Sequence, residues 1–111
     1  TNIVLSFLNH IVKENFLKVT EFQVLAWKGI PAQVRVSSSG KRFSRQLPER
    51  YQKEIDRVAM EEGMWGTDAY LGEWKWSNRE ERAGNADQVL DSIVEELINK
   101  WDLELFGRPQ N

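Results

Sequence analysis

Three stretches of the chain repeat their apolar residues at the spacing of an amphipathic α-helix. The first spans residues 2–18, where one stripe consists of Leu5, Leu8, Val12 and Phe16. The second begins at Pro48, which suits the first turn of a helix, and is stopped by Gly63. The third spans residues 86–102, and Asn85 begins the pattern of a capping box before it. Each stretch is therefore predicted to be a helix.

Between the first two helices, β-forming residues and a period of two predict strands over residues 21–27, 32–36 and 41–47. Glycine and proline in Gly29-Ile30-Pro31 predict a turn or bulge after the first strand. Ser37-Ser38-Ser39-Gly40 has the composition and length of a hairpin turn. The three strands should form an antiparallel meander.

A fourth strand is predicted over residues 70–76, because Tyr70, Trp74 and Trp76 share one parity while Glu73 and Lys75 share the other. The order of elements favours an α+β two-layer sandwich. Its three- to four-stranded, mostly antiparallel sheet would carry two helices on one face, plus an N-terminal helix.

This order divides the chain into three parts. Residues 1–18 are an amphipathic extension, residues 20–106 are a single α+β domain, and residues 107–111 are expected to be a frayed tail.

Charge is unevenly distributed along the chain. The net charge is −2 and the pI is about 5.5, which argues against a nucleic-acid partner. Residues 28–57 hold eight Lys/Arg against three Asp/Glu, a balance of +5. Residues 58–111 hold twelve Asp/Glu against five Lys/Arg, a balance of −7. The halves are either two solvated faces or a polarised docking surface, and the first is the plainer interpretation.

Side chains for catalysis or cofactor binding are scarce. The chain has no cysteine, and its one histidine, His10, has no partner at motif spacing, so the sequence predicts no catalytic residue, no metal site and no cofactor. The most apolar run, Ile3 to Val12, is far shorter than the ~20 apolar residues that cross a bilayer. We therefore expect a non-enzymatic, soluble protein without a membrane span, and the missing cysteine fits a cytoplasmic location.

Three short motifs follow one another in a recognisable order: WKGIPAQV at residues 27–34, LPERYQ at 47–52 and GTDAYL at 66–71. Together they resemble the small bacterial domain called the conserved virulence factor domain, over about residues 22–76. The resemblance implies a domain of undefined biochemical role that occurs alone, or beside helical repeats and a domain similar to the N-terminal part of an iron–sulfur scaffold. It implies no catalytic residues. Since this chain has no cysteine to hold a cluster, that context implies an accessory or docking role.

Two functional hypotheses follow from these patterns. The preferred one is a non-catalytic binding or adaptor module that docks on a protein partner, with the tentative binding residues Trp65, Trp27, Tyr70, Arg35 and Arg50. Homo-oligomerisation is another use for exposed apolar surface. The alternative is a small-ligand-binding protein or weak enzyme. Its pocket would lie between the sheet and a helix and be lined by Trp27, Tyr70, Trp74 and Trp76, with Arg35 or Arg50 as an anion anchor.

The tryptophans divide between core and surface in this interpretation. Trp74 and one neighbour are expected in the core, since burying a ring removes ~150–250 Å² of surface from water. Trp65 lies in the loop between Gly63 and Gly66, outside any periodic element, and is expected to be exposed.

Overall fold

The computed structural model describes residues 18–110. Residues 1–17, which carry most of the predicted N-terminal helix, and residue 111 lie outside the described residues. Within the described range the chain forms five strands and three helices. In chain order they are β1 (Val19–Trp27), β2 (Ile30–Ser38), β3 (Lys41–Gln46), α1 (Glu49–Glu61), α2 (Asp68–Gly72), β4 (Trp74–Trp76), β5 (Glu80–Ala83) and α3 (Ala86–Phe106).

All strand pairs are antiparallel, and β1 is the central strand. One edge of β1 pairs with β2, which in turn pairs with β3. The other edge of β1 is shared by two short strands, because β4 lies opposite residues 25–27 and β5 lies opposite residues 19–22. The predicted α+β fold with an antiparallel sheet is confirmed, but the sheet has five strands instead of three or four.

Two tight turns build the meander β1–β2–β3. Lys28 and Gly29 connect the first pair with φ values of 48° and 86°, and Ser39 and Gly40 connect the second pair with φ values of 52° and 77°. Two consecutive residues with positive φ match the twist of a two-residue hairpin, and glycine accepts this conformation without strain. The hairpin predicted at residues 37–40 is confirmed.

The core lies between the sheet and helices α1 and α3. The register places Phe22 opposite Val36 and Val24 opposite Val34, so these side chains share one face of the sheet. The buried residues of the core come from β1, β2, α1, α3 and the connection between β3 and α1. They form a single cluster of Phe22, Trp27, Ile30, Val34, Val36, Leu47, Tyr51, Ile55, Ala59, Val89, Leu90, Ile93 and Val94. The helices are thus held to the sheet by apolar burial.

The ends of α3 explain why its sequence pattern was reliable. The Asn85 side chain accepts a hydrogen bond from the backbone N–H of Gln88, and the Gln88 side chain accepts one from the N–H of Asn85. This reciprocal capping box confirms the predicted start of the helix. The helix runs four residues beyond its predicted end at 102, to Phe106, and Gly107 stops it in the left-handed conformation with φ of 75°.

The segment before α3 differs from its prediction. Tyr70 belongs to the short helix α2, whose cap is Thr67, and the strand that follows covers only Trp74–Trp76. The predicted single strand over residues 70–76 is therefore wrong, because a capped helical turn occupies its first half. Strand β5, Glu80–Ala83, was not predicted, since its sequence is polar and acquires strand geometry by pairing with β1.

A buried carboxylate joins α1, α3 and the tail. Asp102 accepts two hydrogen bonds from Arg50, at 3.0 and 2.9 Å, and one from the hydroxyl of Tyr51 at 2.6 Å. The tail takes part as well, because the backbone N–H of Gln110 donates to Asp102 at 3.1 Å. Arg50 is the main cause that holds the pKa of Asp102 at about 2, and burial opposes it. Burial, together with the hydrogen bond to Asp102, raises the pKa of Tyr51.

We expect Asp102→Asn to lower the free energy of unfolding by about 3 kcal/mol near neutral pH, because the replacement leaves Arg50 without an anionic partner. Because the pKa of Asp102 is lower in the folded state, its ionised carboxylate stabilises the protein at pH values above the ordinary carboxyl pKa. This stabilisation is lost as the pH falls through the folded-state pKa. The wild-type advantage should therefore shrink between the ordinary value of 3.8 and about 2. Urea denaturation at a series of pH values measures it.

The matched control is Asp91→Asn, since Asp91 forms an ion pair with Arg45 in which both side chains are exposed. Its effect should stay within about 1 kcal/mol across the same pH range. A difference between wild type and Asp102→Asn that stayed constant down to the lowest pH would contradict the assigned role of Asp102.

Candidate functional site

Trp65 lies on the surface, in the connection between α1 and α2. The flanking glycines, Gly63 and Gly66, have φ values of 68° and 78°, a left-handed conformation that lets the chain turn sharply on both sides of the ring. The side chain is 55% exposed, and Leu71 in α2 is 65% exposed. The exposure of Trp65 predicted from its loop position is confirmed.

The exposed ring is nevertheless held in place by other rings. Trp65 meets Tyr70 edge-on, with centroids 5.2 Å apart, and Tyr70 in turn contacts Trp27 at 5.6 Å and Trp74 at 6.2 Å. Trp27 is completely buried, and its indole N–H donates to the backbone carbonyl of Tyr70 at 2.9 Å. Trp65 is therefore the outer member of an aromatic chain fixed to the core.

The surface around this ring is here called the Trp65 patch. It encloses a shallow cavity of about 280 Å³, lined by Trp65, Gly66, Thr67, Asp68, Tyr70 and Leu71. Thr67 shapes the patch locally, since its hydroxyl accepts from the N–H of Tyr70 at 3.2 Å and donates to the carbonyl of Met64 at 2.6 Å. An indole and an isobutyl group with one carboxylate beside them form an apolar anchor with a polar rim.

The five binding residues proposed from sequence fall into three places. Trp65 and Tyr70 lie in the patch, whereas Trp27 lies beneath it with no exposed surface. Arg35 lies over the ring of Trp76, 4.0 Å from its centroid, and Arg50 is engaged with Asp102. Arg35 and Arg50 therefore contact Trp76 and Asp102 and do not form one site with Trp65, Tyr70 and Trp27.

Three of the four aromatic residues named in the alternative hypothesis pack against one another. Trp27, Tyr70 and Trp74 pack against each other at ring distances of 5.6 and 6.2 Å, so the space between them holds their own side chains. Trp74 is half-buried against the core, as predicted, while Trp76 is 37% exposed at the other end of β4. Trp27 thus supports the fold, while Trp74 also lines a cavity of about 310 Å³ that is bordered by Gln33 of β2 and by Glu49 and Gln52 of α1.

Leu71 belongs to the patch but was not selected from the sequence. The predicted strand over residues 70–76 gave Leu71 the parity of Glu73 and Lys75, the polar side of that strand. An apolar residue on the same side of the predicted strand as two charged residues was the available signal for an exposed apolar side chain. Leu71 is in fact exposed because it lies in α2, which replaces the first half of that strand.

Neither a metal site nor a membrane-spanning helix is present in the part of the chain that the structure describes. Over residues 18–110, no three His, Cys, Asp or Glu side chains are grouped so that they could hold a metal ion. Over the same residues, every helix is too short or too polar to cross a membrane.

Comparisons with known proteins identify relatives of this chain. A family described as "Virulence factor" matches residues 25–106. The chain is 29% identical over 97 residues to a protein named Conserved virulence factor C from Staphylococcus aureus (strain bovine RF122 / ET3-1), which covers 87% of this chain and 25% of the relative. It is 36% identical over 83 residues to the protein of the same name from Staphylococcus saprophyticus, which covers 68% of this chain and 19% of that relative.

The chain thus spans about a quarter or less of the length of these curated relatives. No solved structure matches the chain.

The exposure of Trp65 predicts a fluorescence result. Among five single Trp→Phe variants, Trp65→Phe should cause the largest loss of iodide-quenchable emission, because its indole has the most solvent contact. Trp76→Phe should follow, and Trp27→Phe should remove only emission that iodide does not reach, since Trp27 is completely buried. Steady-state quenching of each folded variant measures these losses. An unchanged quenchable fraction in Trp65→Phe would contradict the described exposure.

Proposed function

The chain belongs to the virulence factor family, and we propose that it serves as a non-catalytic protein-docking module whose anchor is Trp65. The observation that carries the proposal is a large apolar side chain that is 55% exposed yet packed edge-on against Tyr70. Exposed tryptophans that a partner can bury are enriched among the residues that dominate binding free energy.

The size of the exposed ring sets how much it can contribute. Removing the remaining half of an indole's ~150–250 Å² from water at about 25 cal/mol per Å² favours association by roughly 2–3 kcal/mol. Leu71, 65% exposed beside it, extends the apolar surface that a partner would cover. The two side chains together are large enough to act as the centre of an interface.

The anchor is also preorganised. Its contact with Tyr70 connects it to Trp27, which is buried and hydrogen-bonded. A side chain already held in its bound orientation loses little rotamer freedom on association, so more of its burial appears as affinity. This distinguishes Trp65 from an apolar residue that is merely exposed.

The chemistry of the partner follows from the charge around the patch. Asp68 lines the patch itself, and residues 58–111 carry a balance of −7. A complementary surface would therefore offer an apolar pocket flanked by Lys or Arg side chains.

Binding assays with variants of the patch test the proposal. Proteins from a bacterial host that are retained by the immobilised wild-type chain are identified, purified and titrated singly. Trp65→Ala should raise the dissociation constant by roughly 30-fold or more, the equivalent of about 2 kcal/mol of binding free energy. Leu71→Ala should raise it by a smaller factor. Higher salt should slow association, because the rim contacts are charged.

Leu103→Ala provides the matched control. Leu103 is 55% exposed, comparable to Leu71, but it lies in α3, outside the Trp65 patch. Its replacement removes the same atoms and should leave the dissociation constant unchanged. Equal binding by wild type and Trp65→Ala, with both proteins folded by circular dichroism, would refute Trp65 as the anchor.

A further inference from the structure

A second candidate site lies on the sheet face that points away from Phe22 and Val36. Along β1 and β2, polar residues alternate with those core residues, and the register places Gln23 opposite Arg35 and Glu21 opposite Ser37. Because successive side chains of a strand point to opposite faces, these polar groups share the face away from α3.

A small cavity is built into this face. It has a volume of about 110 Å³ and is lined by Glu21, Phe22, Gln23, Arg35, Ser37, Arg42 and Arg79. Its three arginines come from β2, from β3 and from the connection between β4 and β5. We call it the arginine cavity.

Arg35 is held in a fixed position in the arginine cavity. One of its guanidinium nitrogens donates to the side-chain oxygen of Gln23 at 2.7 Å, and the amide nitrogen of Gln23 donates to the carbonyl of Ser77 at 3.0 Å. The guanidinium also stacks on Trp76, with 4.0 Å between its carbon and the ring centroid. Its remaining donors are therefore preorganised.

The arginine cavity carries an excess of positive charge. Arg45, Arg50, Arg57 and Arg82 each have a carboxylate partner at close range. Over residues 18–110, by contrast, no ion pair is formed by Arg35 or Arg42, and Arg79 approaches Glu21 only at 3.9 Å. Three cations thus surround one carboxylate.

We propose that the arginine cavity binds a single phosphate group, carried by a small phosphate monoester or present as inorganic phosphate. A phosphate offers three or more acceptor oxygens and a charge of about −1.5 to −2, which suits donors arriving from three chain segments. A carboxylate offers two oxygens and is satisfied by one guanidinium fork. Sites for drug-sized ligands measure about 300–1,000 Å³, so this smaller cavity holds only the anionic group.

The surroundings select against polyanions. Glu21 lies in the wall, and the register places Glu81 directly opposite it on β5. Both carboxylates share the face of the arginine cavity, so an acidic peptide or nucleic acid that brought further negative charges would be repelled there. A ligand with one anionic group avoids this repulsion.

Titration calorimetry at constant ionic strength tests the proposal with inorganic phosphate, glycerol phosphate, acetate and a phosphoserine peptide. Saturable binding of either phosphate ligand is expected, and comparison of the two identifies the source of the group. Arg42→Gln should raise the dissociation constant for phosphate about tenfold, because one charge-assisted contact is lost. Arg35→Lys keeps the charge but loses the planar fork and should also weaken binding.

Arg57→Gln is the matched control, since it removes the same charge from α1, where Arg57 contacts Glu54 and Glu61. Its effect on phosphate affinity should stay within about twofold, because exposed charges outside the cavity are screened. The proposal is overturned if the folded wild type shows no saturable phosphate binding. It is also overturned if Arg57→Gln matches Arg42→Gln, or if acetate or the phosphoserine peptide binds more tightly than both phosphate ligands.

Discussion

The central strand β1 imposes the main constraint on this domain, because both of its edges present backbone donors and acceptors that need partners. β2 pairs along one edge, while β4 and β5 divide the other. Ser77 lies between them and completes the pairing, since its N–H donates to the carbonyl of Val24 and its hydroxyl accepts from the N–H of Val24, both at 2.8 Å. The course of the chain from α2 to α3 is therefore dictated by one strand edge.

Both candidate surfaces depend on this arrangement. Pairing with β1 fixes Trp74 against Tyr70, which supports Trp65, and fixes Trp76 beneath Arg35. A strand of three residues thus contributes to an apolar surface and to a cationic one. Trp27, Trp74 and Trp76 are thus positioned by backbone pairing, and their different exposure follows from what covers each ring. Asp102 adds an independent connection on the helical side of the molecule.

The sequence predicted best those elements whose signals are local. The capping box at Asn85, the turn at Gly40 and the helix after Pro48 each depend on a few adjacent residues, and each is present. β5 could not be predicted in this way, because its polar residues form a strand only beside β1. The single strand predicted over residues 70–76 was wrong because aromatic residues at even spacing fit one strand as well as they fit a helical turn followed by a short strand. The exposure of Trp65 followed from its loop, whereas the contacts around Arg35 join residues far apart in sequence.

The outer edge of β3 has no strand partner among residues 18–110, and every residue of β3 is exposed. An open edge of this kind is a template on which further chains can pair. Lys41 and Arg42 lie along it, whereas the charge of Arg45 is paired with Asp91, so an identical strand aligned there would bring like charges together. The basic residues at this edge therefore disfavour the strand-by-strand pairing of copies through which fibrils grow.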